Sequence, residues 1–259
     1  MVDDGSTDGT FEAVGAFGEP VRCVRQENRG VSSARNRGAT DASGDLFAFL
    51  DADDEWLPRK LEVQLARLAA RPEAIASFTN SVAVDERTGS ERSLPYRLEP
   101  DMERNLLVKG PLIGNASSVL LRRGAFEAVG GFDEDLSQSA DYDLWLRLAG
   151  RGEFDYLPEV LVRLHVREGS MSSSVPLLER DTRRVLDKFF ADPAGAARCA
   201  RDRGRAYGNA LTMLSGCYLH AGDLRSSLRC LSEAILRHPA SLAVPVGLLA
   251  RGLRRRSVT

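Results

Sequence analysis

Histidine and cysteine are scarce in this sequence. Among its 259 residues there are three histidines and four cysteines, and no two cysteines form a Cys-x-x-Cys pair. This composition lacks the ligand spacing of a zinc site and the cysteine density of a disulfide-stabilised fold. We therefore expect reduced thiols and a cytoplasmic protein.

Long apolar runs and a surplus of one charge are also lacking. No uninterrupted apolar segment approaches the roughly 20 residues that span a bilayer, and the first residues do not have the basic and apolar regions of a signal peptide. The chain carries 35 basic and 37 acidic residues, for a formal net charge of -2. The sequence therefore predicts no membrane span, and no basic field that would hold nucleic acid.

What the sequence does contain is an alternation of strand-length apolar runs with segments of helical period. Strands are predicted over residues 21–24, 46–50 and 76–84, and helices over 31–42 and 56–70. This alternation is typical of α/β folds, in which helices flank a sheet. The second helix has a clear apolar face, formed by Leu57, Leu61, Leu65 and Leu68.

The periodicity weakens between residues 87 and 114. Gly, Pro and mixed charge without a regular period predict a long connection over a substrate cleft. After it, the sequence predicts a strand over 116–121 and helices over 124–129 and 141–149.

From residue 175 onward the strand signals disappear, and we divide the chain into an α/β domain over 1–174 and a helical extension over 175–259. The extension contains a predicted hairpin of two helices, over 205–220 and 224–236. The hairpin resembles one tetratricopeptide-like unit, but a single unit cannot bury its own face. A cap that packs on the α/β domain is the simpler interpretation.

The tail that starts at Ser241 mixes apolar residues with Arg251, Arg254, Arg255 and Arg256. This composition fits an interfacial helix on an anionic membrane, and hence a peripheral location at its inner face. It equally fits a frayed, solvated basic end.

Three carboxylates, those of Asp51, Asp53 and Asp54, directly follow the predicted strand 46–50. Ligands of open α/β sheets bind at the carboxyl edge of the strands, and like charges this close repel one another unless a cation is present. Mg²⁺ and Mn²⁺ are often held by carboxylates together with a substrate diphosphate. In an extended segment, Asp51 and Asp53 point to the same side. The same carboxylates also suit a helix start, so the pattern alone leaves both interpretations open.

Three segments in this order and spacing look like those of family 2 glycosyltransferases. They are VDDGSTDGT at residues 2–10, QENRGVSSARNRG at 26–38 and FLDADD at 49–54. The resemblance covers about residues 2–170. It implies the GT-A fold, which is Rossmann-like with a twisted mixed sheet flanked by helices. It also implies a hexosyltransferase-type reaction that moves a sugar from a nucleotide diphosphate to an acceptor with inversion at the anomeric carbon.

The same resemblance implies a set of donor-binding residues. Asp3 would accept a hydrogen bond from the nucleotide base, with Asp4 beside it, and a carboxylate can indeed accept the imide N–H of uracil. Arg35 would contact a phosphate, although an ordinary solvated arginine is the alternative. The remaining nucleotide-sugar contacts would be Asn36, Asp51 and Ala52. A divalent cation, Mn²⁺ or Mg²⁺, would be held by Asp51, Asp53 and His165.

His165 has a second interpretation. It lies in the segment Arg163-Leu164-His165, which with Gly169-Ser170-Met171-Ser172 resembles the part of the family that closes over the diphosphate. It would join the metal shell or contact a phosphate, or else be an ordinary strand residue.

The catalytic base of the family lies in a later acidic motif, which SADYDLWLR at residues 139–147 resembles. Asp141 aligns with the base and would take the proton of the acceptor hydroxyl, although it also suits a helix cap. Ala140 stands where the family usually has Glu. On the acceptor side we place Asn115, Asp143 and Trp145.

Family members normally begin with a strand, a helix and a second strand that ends in the Asp-Asp-Gly-Ser motif. Here Met1 lies at the tip of that second strand, so we expect about 30 residues of a strand-helix-strand unit to be missing. A chain without a central strand is expected to be marginally stable or prone to aggregation.

The partners that we expect are a nucleotide-diphosphate sugar, UDP-linked in the first instance, and a glycan or lipid-linked acceptor in polysaccharide biosynthesis. An alternative function is a catalytically silent nucleotide-sugar-binding or interaction module, because one wall of the pocket would be missing. A third is a helical-repeat scaffold. Donor sugar and acceptor depend on pocket shape and are not legible from these motifs.

Overall fold

The computed structural model describes residues 1–167 and 174–242. These residues divide into two compact units, of which residues 1–102 and 113–167 form the first and residues 103–112 and 174–242 form the second. The segment 103–112 therefore belongs to the helical unit, although it precedes residue 174 in the chain.

The first unit is built from short and long strands with helices between them. Its strands are β1 Val2–Asp3, β2 Val24–Arg25, β3 Leu46–Ala48, β4 Asp54–Trp56, β5 Ala74–Asp85, β6 Glu91–Leu94, β7 Val119–Arg122 and β8 Glu153–Val166. Its helices are α1 Thr10–Gly15, α2 Val31–Asp41, α3 Lys60–Ala70, α5 Arg123–Ala128 and α6 Ala140–Ala149, and α4 Met102–Lys109 starts at its border with the second unit.

Six of these strands form one mixed sheet in the order β3-β7-β5-β8-β4, with β6 paired to β5. The two longest strands, β5 and β8, run parallel, and their neighbours pair antiparallel. The strands β1 and β2 form a separate parallel pair. This mixed sheet with flanking helices confirms the predicted α/β class.

The core of the first unit is apolar and fully buried. Leu144, Trp145 and Leu148 of α6 are completely buried, as is Phe78 of β5. Burial of each such side chain stabilises the fold by about 1.5–3 kcal/mol. This packing fixes α6, and with it the acidic residues of its first turn.

The predicted helix over 56–70 starts later than the sequence suggested. Asp54 to Trp56 pair antiparallel with Leu164 to Val162 of β8 and form β4, and α3 begins at Lys60. Acidic residues are poor strand formers, so the strand was not predicted. Pairing with β8 outweighs that preference, and the three aspartates do not cap α3 as the helix-start interpretation required.

The connection over 87–114 is also more ordered than its composition indicated. It contains β6, which pairs with Ser81 to Val84 of β5, and then α4. Leu106 and Leu107 of α4 are completely buried. The predicted strand over 116–121 begins instead with one turn of 3-10 helix, Ala116–Ser118, followed by β7.

The described part of the second unit is helical. Besides α4 it contains α7 Val175–Ala191, α8 Pro193–Cys199, α9 Arg203–His220 and α10 Leu224–Arg237, with 3-10 turns at Ala200–Asp202 and Pro239–Leu242. The helices α9 and α10 form the predicted hairpin, in which Asp223 accepts a hydrogen bond from Ser226 N and so caps α10. Within the residues described, no helix is both long and apolar enough to cross a bilayer.

Candidate active site

The acidic cluster occupies a tight turn between two strands. After β3 ends at Ala48, the backbone N–H of Asp54 donates to the carbonyl of Asp51 at 3.0 Å, and β4 starts at once. Asp51 and Asp53 therefore do not share an extended segment, and the period-two argument from the sequence does not apply. Asp53 is exposed, whereas Asp51 and Asp54 are partly buried.

A single arginine joins this cluster to the predicted base. From α2, Arg35 Nη2 donates to both carboxylate oxygens of Asp51 at 2.6 and 2.8 Å, and Arg35 Nη1 donates to Asp141 Oδ1 at 2.6 Å. Its guanidinium also lies over the ring of Phe132. Although burial opposes its charged form, Asp141 and Asp51 raise the pKa of Arg35 overall. It is therefore a fixed cation in the site.

Asp141 lies in the first turn of α6 with its carboxylate held from two sides. Its Oδ1 accepts from Arg35, and its Oδ2 accepts from the backbone N–H of Ala116 at 2.9 Å. Burial raises the pKa of Asp141, and the charge of Asp51 acts in the same direction, while Arg35 opposes them. A raised pKa strengthens a carboxylate as a proton acceptor.

Ser117 ties the acidic turn together and was not recognised from the sequence. Its hydroxyl donates to Asp54 Oδ2 at 2.5 Å and accepts from Asp51 N at 3.1 Å, while its carbonyl accepts from Trp56 Nε1. Burial, together with repulsion from Asp51 and Asp53, raises the pKa of Asp54 to about 6. The cluster thus holds more negative charge than its own neighbours neutralise, which fits a hard cation with oxygen ligands.

The residue predicted to bind the nucleotide base, Asp3, is buried at the end of β1. Its Oδ1 accepts from Ser6 N at 2.9 Å, while its Oδ2 lies 3.4 Å from Arg25 Nε and has no hydrogen-bond partner among the residues described. The Ser6 side chain and backbone lower the pKa of Asp3. A buried carboxylate oxygen that has no hydrogen bond can accept one from an incoming N–H donor.

Two further residues predicted to bind the donor hold the protein's own backbone. Asp4 accepts from Gln26 Nε2, Arg29 N and Gly30 N and so fixes the loop before α2. Asn36 exchanges hydrogen bonds with the backbone N–H and carbonyl of Phe132. Their amide and carboxylate groups are largely used in these contacts, so they shape the site rather than point freely into it.

A groove of about 720 Å³ extends from this charged region along the edges of β1 and β3. Arg35, Asp51, Ala52 and Asp54 line its polar end. Its remaining walls are apolar and come from β1, α2, β3 and the residues just after β3; they include Val2, Val31, Phe47 and Leu50.

The predicted metal ligand His165 lies near the cluster, because Asp54 pairs with the adjacent Leu164 and the charge of His165 acts to lower the pKa of Asp54. Its Nδ1 is 3.4 Å from Glu86 Oε1, and in the described part of the chain no three His, Cys, Asp or Glu side chains are gathered closely enough to hold a metal ion. Asp51, Asp53 and His165 therefore do not form a ready-made metal site. The segment Gly169 to Ser172 lies outside the described residues.

The acceptor-side predictions need correction. Trp145 is completely buried in the core of the first unit and leaves no surface for an acceptor. Asp143 is also buried and accepts from Arg147, which in turn donates to the carbonyls of Val129 and Gly131. Both side chains hold α6 in place on its buried side. Asn115 is buried too, but it caps the turn that carries Ala116.

Comparison with known proteins identifies the class. The fold matches the S. aureus TarS structure in complex with UDP-GlcNAc at a TM-score of 0.56 and 14% identity, over 89% of this chain and 80% of that one. It also matches the mannosyltransferase PcManGT from Pyrobaculum calidifontis, in complex with GDP-Man and Mn²⁺. The TM-score is 0.57 and the sequence identity 21%, over 98% of this chain and 69% of that one. The first unit therefore has the GT-A glycosyltransferase fold.

The family follows from the sequence profile. The profile named "Glycosyl transferase family 2" matches residues 1–130, and the chain belongs to this family of transferases. An uncharacterized glycosyltransferase of Rickettsia felis is 31% identical over 186 residues, which are 67% of this chain and 30% of that protein. The amylovoran biosynthesis glycosyltransferase AmsE of Erwinia amylovora is 31% identical over 147 residues, 56% of this chain and 53% of the relative. The chain thus spans between about a third and a half of these relatives.

Proposed function

We propose that this chain transfers a sugar from a nucleotide diphosphate to a hydroxyl acceptor, with inversion at the anomeric carbon and Asp141 as general base. The observation that carries the proposal is the guanidinium of Arg35, which is hydrogen-bonded to both Asp51 and Asp141. It places the acidic turn and a carboxylate of raised pKa on two sides of one fixed cation. Such a site can receive a diphosphate and a nucleophile together.

On the donor side, the buried Asp3 has a carboxylate oxygen without a hydrogen bond, which can accept an N–H of the nucleotide base. Arg35, which hydrogen-bonds to Asp51, would stabilise the negative charge on the diphosphate as the nucleoside diphosphate departs. Asp51 and Asp53 would hold Mn²⁺ or Mg²⁺ together with diphosphate oxygens, and the cation would supply charge stabilisation to the leaving group. The crowded carboxylates and the raised pKa of Asp54 support this assignment.

On the acceptor side, Asp141 takes the proton of the attacking hydroxyl onto its carboxylate. Attack from the face opposite the leaving group inverts the anomeric carbon, because one direct displacement changes its configuration once. Arg35 and the backbone N–H of Ala116 fix the two oxygens of Asp141 and so hold the base in one orientation.

Asp141→Asn and Asp51→Asn test the assignment. We expect Asp141→Asn to lower the release of nucleoside diphosphate from UDP-GlcNAc or GDP-mannose with Mn²⁺ by about 10²- to 10⁴-fold, the usual contribution of a general base, and to leave nucleotide binding intact. Asp51→Asn should weaken Mn²⁺-dependent binding of the nucleotide. Glu62→Gln, which removes a carboxylate from an exposed pair on α3, is the control and should behave like the wild type.

The outcomes separate the proposal from its alternative. Nucleotide binding that needs no Mn²⁺ and survives Asp51→Asn, without turnover of any donor, would support a catalytically silent binding module. The relative named for amylovoran biosynthesis supports a glycan or lipid-linked acceptor in a polysaccharide pathway. Analysis of the product's anomeric configuration by NMR tests inversion.

A further inference from the structure

Tyr96, in the connection between β6 and α4, contacts the segment 114–116, which lies beside the proposed base Asp141. The backbone N–H of Tyr96 donates to Asn80 Oδ1 at 2.7 Å, which anchors this part of the connection to β5. The Tyr96 ring packs edge-on against Phe78. The hydroxyl at its far end is therefore held at a defined place, although the connection is long.

That hydroxyl contacts the residues immediately before Ala116. Asn115 Nδ2 donates to Tyr96 Oη at 3.1 Å, and the backbone N–H of Gly114 and the side chain of Ser81 also hydrogen-bond to it. A Cβ atom on Gly114 would lie 2.5 Å from Tyr96 Oη, so this approach requires glycine. Burial raises the pKa of Tyr96, and its phenol remains neutral.

Asn115 connects the Tyr96 hydroxyl to the turn that contacts the proposed base, Asp141. It is buried, and its side-chain oxygen accepts from Ser118 N at 2.8 Å while its carbonyl accepts from Ser118 Oγ. These bonds form the turn whose first N–H, that of Ala116, donates to Asp141 Oδ2. Hydrogen bonds together with the covalent chain thus connect Asn80, through Tyr96, Asn115 and Ala116, to the carboxylate of Asp141.

We propose that Tyr96 is a positioning residue for the transfer reaction, because its hydroxyl holds the 114–116 segment so that the Ala116 N–H orients Asp141 toward the acceptor. This inference rests on the proposed role of Asp141 as base. Tyr96 acts through Asn115 and Ala116 and makes none of the contacts of the nucleotide end or the acidic turn. It therefore affects turnover and leaves donor binding unchanged.

Tyr96→Phe tests the proposal, with Tyr156→Phe as the matched control. Tyr156 also hydrogen-bonds to Asn80 Oδ1, but through its own hydroxyl and on the β8 side. In the full chain with Mn²⁺, we expect Tyr96→Phe to lower kcat for nucleoside diphosphate release from UDP-GlcNAc or GDP-mannose by about tenfold, which corresponds to one lost hydrogen bond. The affinity for UDP should stay within about twofold, and Tyr156→Phe should retain wild-type kcat.

Amide exchange gives a second measurement that needs no activity. We expect the Ala116 amide to exchange faster with deuterium in Tyr96→Phe than in the wild type or in Tyr156→Phe. Unchanged exchange at Ala116, or equal loss of kcat in both variants, would overturn the proposal. If Asp141→Asn retains full activity while Ala116 exchange still responds to Tyr96→Phe, the proposed base is wrong and the positioning role in transfer falls with it, whereas the structural path stands.

Discussion

At the scale of single residues, the buried lysine at the start of α3 is the most unusual feature outside the site. Lys60 is completely buried, and its Nζ lies 4.4 Å from the centre of the Trp56 ring without a hydrogen-bond partner among the residues described. Burial lowers the pKa of Lys60 to about 7. The ring face offers partial compensation for its charge, and the rest of the desolvation cost is uncompensated.

This cost predicts a specific pH dependence. In the unfolded chain Lys60 keeps its ordinary pKa of 10.5, so between pH 7 and 10.5 the unfolded state binds more protons than the folded state. The wild type should therefore gain up to about 1.4 kcal/mol of unfolding free energy per pH unit in this window, relative to Lys60→Met. Below pH 7 both states are protonated and the whole penalty is present. Urea unfolding of both proteins at pH 6, 8 and 10 measures the difference.

The exposed Arg97 provides the control. Arg97→Met removes a positive charge from a solvated position and should give a stability difference that does not change across this pH range. If the unfolding free energies of the wild type and Lys60→Met change equally with pH, Lys60 is not desolvated as described.

Site residues differ in how far their roles follow from the sequence. Asp141 and Arg35 belong to motifs, and the structure brings them into contact although 106 positions separate them. Trp145 and Asp143 belong to the same motif as Asp141, but a helix has two sides, and the packing of α6 turns them into the core. Ser117 and Tyr96 carry no pattern of their own, since their roles depend on tertiary contacts alone.

At the scale of elements, one glutamate connects three helices of the second unit. Glu179 of α7 accepts from Arg229 of α10 at 2.6 and 2.7 Å, from Tyr218 of α9 at 2.8 Å and from Arg183 on its own helix. Its side chain is 10% exposed. The hydrogen bond from Arg229, with those from Tyr218 and Arg183, lowers the pKa of Glu179 to about 2 despite its burial.

We expect Glu179→Gln to lower the unfolding free energy of the chain by about 3 kcal/mol at pH 7, because the folded chain stabilises the charged carboxylate through Arg229, Tyr218 and Arg183 and the neutral amide loses that stabilisation. The deficit should shrink as the pH falls from the ordinary value of 4.5 toward 2, where the wild-type carboxylate is also protonated. Urea unfolding followed by circular dichroism at pH 7 and pH 3 measures both values. Glu127→Gln, which breaks an exposed pair on α5, should cost less than about 1 kcal/mol; an equal cost at both positions would contradict the prediction.

The elements that the sequence predicted best are those with strong local signals. The helices α2 and α6, the strand β5 and the α9-α10 hairpin each have apolar periodicity or a turn at their ends. Two of the three residues of β4 are acidic and have low strand preference, and the strand forms because β8 lies beside it. The helix α4 interrupts a segment rich in turn formers, and its stability comes from burial of Leu106 and Leu107. Both depend on partners distant in sequence.

At the scale of the whole molecule, two strand edges face one apolar groove. Among residues 1–167 and 174–242, β1 pairs only with β2, and β3 pairs only with β7. Their other edges border the groove, where Leu50 is 47% exposed. Unpaired strand edges beside apolar surface favour pairing with another chain.

We therefore expect the protein to self-associate, with an apparent mass that rises with concentration in light scattering. Leu50→Lys should reduce this association, because it places a charge in the groove just beyond the end of β3. Phe17 is 76% exposed but does not line the groove, so Phe17→Lys is the control and should leave the association unchanged. A concentration-independent monomer would refute the role of these edges.

The arginine between the two carboxylates has a consequence for the whole cleft. Asp51, Asp141 and Arg35 together carry one negative charge in excess, and Arg35 is the counter-ion of both acids. Charge that arrives beside one acid is therefore felt by the other through a shared partner. Thermodynamic linkage makes such an influence reciprocal, with the same free energy in both directions. We therefore expect a substitution at Arg35 to change the surroundings of Asp51 and of Asp141 at the same time.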